Sequence, residues 1–294
     1  MEVSDIYKLL LEQTYIGDRS IATSILLSIK LQKPLLIEGP AGVGKTEIAK
    51  VMAQAMDTQL IRLQCYEGLD ASHAIYEWNY QHQLLHLKML EETSISQIEK
   101  EKQIFSERFL MKRPLLQAIT SEKRPVLLID EVDRADEEFE SFLLELLSEW
   151  QITIPEIGTI KAVNRPIVFL TGNRTRNLSE ALRRRCLYLW IEYPEFEKEL
   201  AILKSKVPDL DDRLGQQICL FMKELRLMKL EKTPGVAETL DWARSLSEMH
   251  LDHLDKEIVQ DTLGVILKDW QDIRHTTDSL SELLEKTGVV SRIG

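Results

Sequence analysis

Through the first two thirds of the chain, short apolar runs alternate with longer stretches of helical spacing. Pro34–Ile37 (PLLI), Leu60–Gln64 (LIRLQ), Val126–Ile129 (VLLI), Ile167–Thr171 (IVFLT) and Leu187–Ile191 (LYLWI) are short, mostly apolar and bounded by proline or polar residues. Such runs predict buried strands. Helical segments lie between them, so the pattern predicts a parallel sheet covered by helices on both faces. After Tyr193-Pro194 the strand pattern stops. Glu195–Lys206, Asp209–Lys229, Val236–His250, Lys256–Ile273 and Ser279–Lys286 carry apolar residues at three- and four-residue spacing, and Pro208 and Pro234-Gly235 punctuate them. The expectation is an α/β domain over 1–194 followed by a small all-helical domain over 195–294. Within the first, Glu91–Glu107 (EETSISQIEKEKQIFSE) is charged and polar. It reads as a solvated helix or loop, with partner contact as the functional alternative.

Composition narrows the function. The 294 residues hold 37 Lys and Arg against 48 Asp and Glu, a net charge of −11. That sign argues against bulk nucleic acid or an anionic membrane as the main ligand. No apolar run approaches the ~20 residues of a membrane span. The N-terminal MEVSDIYKLLLEQ has no cleavable signal pattern. Cys65, Cys186 and Cys219 are odd in number and lack CxxC spacing, which excludes a disulfide framework and points to a reduced, cytoplasmic setting.

The chemistry is concentrated in LLIEGPAGVGKTEIAK. Gly39, Gly44, Lys45 and Thr46 fit G-x-x-x-x-G-K-[ST]. Glycines let the backbone wrap a phosphate, successive amides form an anion nest, and the helix expected over Glu47–Met56 adds its positive end. Lys45 can reach the β- and γ-phosphates of ATP, and Thr46 offers a hydroxyl to Mg²⁺. Further on, VLLIDEVDRAD delivers Asp130 and Glu131 from the end of an apolar strand, where open α/β sheets bind ligands. Asp130 would hold magnesium through water, and Glu131 would act as general base on the attacking water. Asn173, just past the next strand in IVFLTGNRT, could orient that water. Arg183, Arg184 and Arg185 close a helix before the last strand. A guanidinium offered there to a neighbouring subunit's γ-phosphate requires an oligomer; helix-end charge complementarity is the plainer alternative.

Phosphate loop, acidic strand end, polar strand end, arginine-tipped helix and helical domain, in that order, resemble the AAA+ ATPases. The fold class so implied is an AAA+ P-loop NTPase with a five-stranded parallel sheet flanked by helices and a small all-helical lid. Within that group DEVDRAD, the hairpin candidate Ile152–Ala162 (ITIPEIGTIKA) and RCLYLWIEYP resemble the MoxR family. CYEGLDASHAIYEWNYQHQLLHLK is similar to MoxR-type ATPases linked to carbon monoxide dehydrogenase and related molybdenum hydroxylases. The resemblance implies Walker A at Gly39, Pro40, Ala41, Gly42, Val43, Gly44, Lys45 and Thr46, with Glu47 beside it. It implies Walker B at Asp130 and Glu131, sensor 1 at Asn173 and an arginine finger at Arg184 or Arg185. Arg134 resembles a basic residue facing the subunit boundary, and Tyr15, Ile16 and Gly17 take the place where the family meets adenine. The implied cofactors are ATP and Mg²⁺. The implied partners are further copies in a hexameric ring, a von Willebrand A-domain protein and a metalloenzyme client, with no membrane and no nucleic acid.

Two features depart from MoxR. The sensor 2 arginine is missing where the chain reads Thr233-Pro234-Gly235, and residues 79–112 form a longer, charged, helically patterned insertion. A DNA-acting motor and a nucleotide-gated binding module with little turnover are the rival functions. His82 and His86 have metal-ligand spacing, yet QHQLLHLK reads better as an amphipathic helix. Trp78, Trp150, Trp190 and Trp242 read as core.

Overall fold

The computed structural model describes residues 1–91 and 96–287. In chain order the elements are α1 (Val3–Glu12), α2 (Arg19–Leu31), β1 (Leu35–Glu38), α3 (Lys45–Ala55), β2 (Leu60–Gln64), α4 (Ala71–Ala74), β3 (Tyr76–Trp78), α5 (Tyr80–Leu90), α6 (Gln97–Ile104), β4 (Leu110–Lys112), α7 (Pro114–Thr120), β5 (Val126–Asp130), α8 (Glu137–Glu149), β6 (Gln151–Ile154), β7 (Gly158–Lys161), β8 (Ile167–Gly172), α9 (Glu180–Arg185) and β9 (Leu187–Trp190). Then follow α10 (Phe196–Lys206), α11 (Asp212–Leu227), α12 (Val236–Glu248), α13 (Lys256–Ile266), α14 (Trp270–Asp278) and α15 (Leu280–Lys286).

Two compact units result. An α/β unit comprises Met1–Leu9, Arg19–Glu38 and Thr46–Leu189; a helical unit comprises Leu10–Asp18, Gly39–Lys45 and the chain from Trp190 onward. The α/β unit holds the five expected strands in the order β2-β5-β8-β1-β9. β5, β8 and β1 are buried along their whole length, which is why they read as unbroken apolar runs. β2 lies at the edge and alternates, with Ile61 and Leu63 inward and Arg62 and Gln64 outward. Its core gathers Leu63, Leu116, Leu127, Ile129, Phe139, Leu143 and Leu170. The hairpin candidate forms as β6 paired antiparallel with β7.

The insertion is a helical pair, α5 and α6, on a short antiparallel ladder of β3 with β4. Asn79 caps α5 and Ser96 caps α6 with a capping box. His82 and His86 both lie against the Phe109 ring, with centroids 5.4 and 5.3 Å away. Residues 92–95 of the expected insertion, and 288–294 of the expected helical domain, lie outside the described residues.

The helical unit packs Leu203, Leu214, Ile218, Phe221, Trp242, Leu246 and Leu263 into a second core. Trp242 Nε1 donates to Thr262 Oγ1 at 2.8 Å. Two expectations are corrected. The helix expected over Lys256–Ile273 is two, because the Asp269 carboxylate accepts from the amides of Gln271 and Asp272 and starts α14 afresh. Trp190 is not core: it ends an edge strand, is 40% exposed, and donates from Nε1 to Glu192 Oε2 at 2.8 Å.

Candidate active site

The strand ends are aligned by register. Gln64 lies opposite Asp130, and Glu38 opposite Gly172. Asp130 is buried, and donors surround its carboxylate. Oδ1 accepts from Thr46 Oγ1 at 3.0 Å and from Thr171 Oγ1 at 2.5 Å. Oδ2 accepts from Arg62 Nε at 3.1 Å and Arg62 Nη2 at 2.5 Å. Thr46 stands in the first turn of α3, directly after Lys45. Its bond to Asp130 therefore ties the residue that follows the phosphate loop to the end of β5.

Glu131 takes left-handed backbone angles, φ 54° and ψ 47°. A residue with a Cβ pays roughly 1–2 kcal/mol for this conformation, and such strain concentrates at functional sites. Its amide donates to Thr171 Oγ1 at 3.0 Å. Thr171 thus fixes both acids, donating to one and accepting from the backbone of the next. The Glu131 carboxylate pairs with Arg134 Nε at 2.8 Å.

Asp133, also buried, organises the turn after β8. Its Oδ2 accepts from the amides of Asn173 (3.1 Å) and Thr175 (2.8 Å) and from Thr175 Oγ1 (2.8 Å). Arg174, at φ 58°, lies with Nε 3.8 Å from Glu38 Oε2, which also accepts from Tyr188 Oη at 3.0 Å. The field of these acids reaches Cys65. Burial, then Asp130, Asp133 and Glu131, push its thiol up to about 12.

The loop itself belongs to the helical unit. A Cβ at Gly39 would fall 2.1 Å from the Ile191 carbonyl oxygen, so only glycine fits. Gly42 and Gly44 are left-handed, at φ 75° and 88°. Lys45 Nζ is buried and donates to the carbonyls of Gly39 (2.8 Å) and Pro40 (2.6 Å). Tyr15 Cε2 lies 4.0 Å from where a Cβ on Gly44 would stand, and Gly17 donates from its amide to the Tyr15 carbonyl at 3.0 Å. Glu47 pairs with Lys50 at 3.3 Å.

At Gly235, just past Thr233-Pro234, backbone meets the phosphate loop. The amides of Val236 and Ala237 donate to Gly42 O at 3.0 and 3.3 Å. A Cβ on Gly235 would lie 2.7 Å from both Ala41 O and Gly42 Cα. The first turn of α12 therefore spends its unsatisfied donors on the phosphate loop, and a side chain at 235 would push the two apart.

Among the three arginines ending α9, Arg184 pairs with Glu180 one turn back, and Arg185 donates to Ser148 Oγ and, at 3.0 Å, to Ala181 O. Arg183 lies 5.9 Å from the Tyr188 ring centroid. All three are exposed. Arg62, Asp133 and Thr171 escaped the motif reading. The alternation within LIRLQ was the available signal for Arg62; Asp133 and Thr171 flank motif positions but are recognised only once the strands are in register.

A family model for the AAA domain (dynein-related subfamily) matches residues 34–186. An uncharacterized protein of Staphylococcus aureus is 26% identical over 244 residues, covering 79% of this chain and 85% of its own. An uncharacterized protein of Staphylococcus haemolyticus is 24% identical over 266 residues, covering 86% and 94%. Among solved structures, a variant of Thermotoga maritima RuvB is similar in fold, with TM-score 0.51, 19% identity, and coverage of 93% of this chain and 83% of that one. A putative ATPase from Cytophaga hutchinsonii matches with TM-score 0.47, 17% identity, and coverage of 97% and 94%.

Proposed function

Because the chain belongs to the AAA domain family, dynein-related subfamily, we propose that it hydrolyses ATP to ADP and phosphate and uses the cycle to remodel a protein client. The observation that carries this reading is the Thr46–Asp130 hydrogen bond, which joins a G-x-x-x-x-G-K-T sequence to an acidic strand end. In the reaction a water oxygen forms a bond to the γ-phosphorus. The bond to the β,γ-bridging oxygen breaks, and the water's proton passes to Glu131. To accept it, Glu131 has to part from Arg134. Lys45 has to exchange the Gly39 and Pro40 carbonyls for phosphate oxygens. Loop amides between Gly39 and Thr46, all but that of Pro40, which has no N–H, bind the phosphates, with Glu47 opening the helix behind them, and Tyr15, Ile16 and Gly17 meet the adenine. Asn173 orients the water, its backbone fixed by Asp133.

The Thr46 hydroxyl and the Asp130 carboxylate are hard oxygen donors that suit Mg²⁺. When bound there, the ion would neutralise phosphate charge. Arg184 or Arg185 would complete the site of a neighbouring subunit in a ring.

Phosphate release by the purified protein tests the reading. Glu131→Gln should keep nucleotide binding and slow release by about 10²-fold or more. If wild type releases no more phosphate than this variant, turnover is refuted and a nucleotide-gated binding module remains. Stimulation by DNA that fades with salt would instead favour a DNA-acting motor.

The finer reading is a MoxR-type hexamer that matures a metalloenzyme, with molybdenum hydroxylases as the client class and a von Willebrand A-domain adaptor. Its support is the DEVDRAD sequence, the β6–β7 hairpin and the segment from Cys65 to Lys88. Activation of a co-expressed molybdenum hydroxylase that depends on Glu131 would test it.

A further inference from the structure

Asp130 already has a counter-charge without any metal. Arg62 presents Nε and Nη2 to Oδ2, and Nη2 also donates to Gln64 Oε1 at 2.6 Å. Strand register explains the reach. Arg62 lies opposite Leu128 and Gln64 opposite Asp130 on parallel strands, so positions 62, 64 and 130 share one face of the sheet. A long side chain at 62 spans the diagonal to 130. The burial of the two partners differs sharply: the Asp130 side chain is 4% exposed and that of Arg62 is 49% exposed. A carboxylate so enclosed needs a positive partner. A guanidinium half in water can leave at modest cost.

The two oxygens of Asp130 are also engaged differently. The Thr46 hydroxyl can go on donating to Oδ1 while its oxygen faces a cation. Oδ2 is the oxygen that Arg62 occupies. A divalent ion carried to Asp130 therefore meets an arginine already on that carboxylate, and the two positive charges repel.

We propose that Arg62 is the resident counter-cation of Asp130: it aims and neutralises the carboxylate while metal is absent and competes with the incoming divalent ion, so it sets the metal concentration at which the site loads. Arg62 is thus a positioning residue. The inference rests on the nucleotide-site reading above and adds a control on metal loading to it.

The test titrates Mg²⁺ against binding of a fluorescent, non-hydrolysable ATP analogue by the full chain. Thermal unfolding of the nucleotide-free protein is followed in parallel. Arg62→Gln removes the charge and keeps a donor; it should lower the Mg²⁺ midpoint by about tenfold. It should also lower the unfolding temperature without metal, and added Mg²⁺ should recover part of that loss. Arg62→Lys keeps the charge without the fork, so its midpoint should stay within about twofold of wild type. An Arg62→Gln midpoint that is unchanged or raised overturns the proposal, as does an Arg62→Lys shift as large as that of Arg62→Gln. If wild type binds the analogue and the midpoints do not move, only the Arg62 role falls. If wild type binds none at any Mg²⁺ concentration, the nucleotide reading falls with it.

Discussion

Two arginine–carboxylate pairs, one in each unit, show how burial divides fixed charge from exchangeable charge. In the helical unit, Arg226 of α11 meets Glu199 of α10 fork to fork, Nη1 to Oε2 and Nη2 to Oε1, both at 2.7 Å. Both side chains are buried, at 8% and 2% exposure. Arg226 also donates to Pro234 O (2.9 Å) and Thr239 Oγ1 (2.9 Å), and its guanidinium lies 4.9 Å from the Tyr193 ring centroid. These partners tie together α10, α11, α12 and the turn that touches Gly42. The pair at Arg62 and Asp130 uses the same chemistry with the arginine half in water. The first is a joint of the fold. The second can give up its arginine, and there the chain presents a carboxylate to something else.

The largest effect should come from breaking the buried pair. Arg226→Ala leaves the buried Glu199 carboxylate without its counter-charge, with the Thr239 hydroxyl still donating to it at 2.8 Å, and should destabilise the chain by about 3–5 kcal/mol in urea unfolding. Replacing both partners together, Arg226→Met with Glu199→Leu, should recover most of that loss, since apolar residues of similar size often substitute for a buried pair. A cost under about 1 kcal/mol for Arg226→Ala would place this pair in the same class as Arg62 and Asp130, and the contrast would disappear.

A smaller effect probes the turn that Arg226 holds. Gly235→Ala inserts a methyl group 2.7 Å from Ala41 O and Gly42 Cα, both backbone atoms that cannot rotate away. The strain should cost about 1–3 kcal/mol. It should also weaken nucleotide binding, because the Gly42 carbonyl loses the amides of Val236 and Ala237. Unchanged nucleotide affinity in a destabilised Gly235→Ala would show that this contact serves the fold alone.

Little of this contrast could be read from the sequence, although the scaffold could. Apolar runs marked β1, β5 and β8 to within a residue or two, because a strand buried on both faces writes its burial into consecutive positions; the edge strands β2 and β9 were marked by mostly apolar runs although their burial alternates or is partial. The β3–β4 ladder left no such trace. Its strands have three residues each, and their pairing spans the whole insertion. The phosphate loop was legible because its chemistry needs neighbours in sequence. Arg62 is 68 positions from Asp130 and Arg226 is 27 from Glu199, so both pairs exist only through register or helix packing. The break before Asp269 was hidden for another reason: apolar spacing runs through it, and what marks it is the capping carboxylate that starts a new helix.

A last contrast, read as a slope with pH, separates the two units by their thiols. Cys65, near the strand-end acids, and Cys219, near Glu199 and Arg226, are each pushed up to about 12, chiefly by burial. For Cys65 three carboxylates raise it further; for Cys219, Glu199 raises it and Arg226 lowers it. Both thiols stay protonated in the fold, while an unfolded thiol titrates near its ordinary value of 9.0. The stability each contributes is thus complete below about pH 9 and is lost as pH rises towards 12, at up to about 1.4 kcal/mol per pH unit and per thiol. Tyr76, Tyr188 and Tyr193 are raised too, so the whole chain weakens in alkali with the same sign. Comparing variants isolates the thiols. Cys65→Ala and Cys219→Ala should each flatten the fall in urea midpoint between pH 8.5 and 10.5. Adding Arg226→Met and Glu199→Leu should change the alkaline slope more with Cys219 present than in the Cys219→Ala background, where Tyr193, which Arg226 lowers, still responds. If the change is equally large in the Cys219→Ala background, the local charge of the buried pair is not what Cys219 feels.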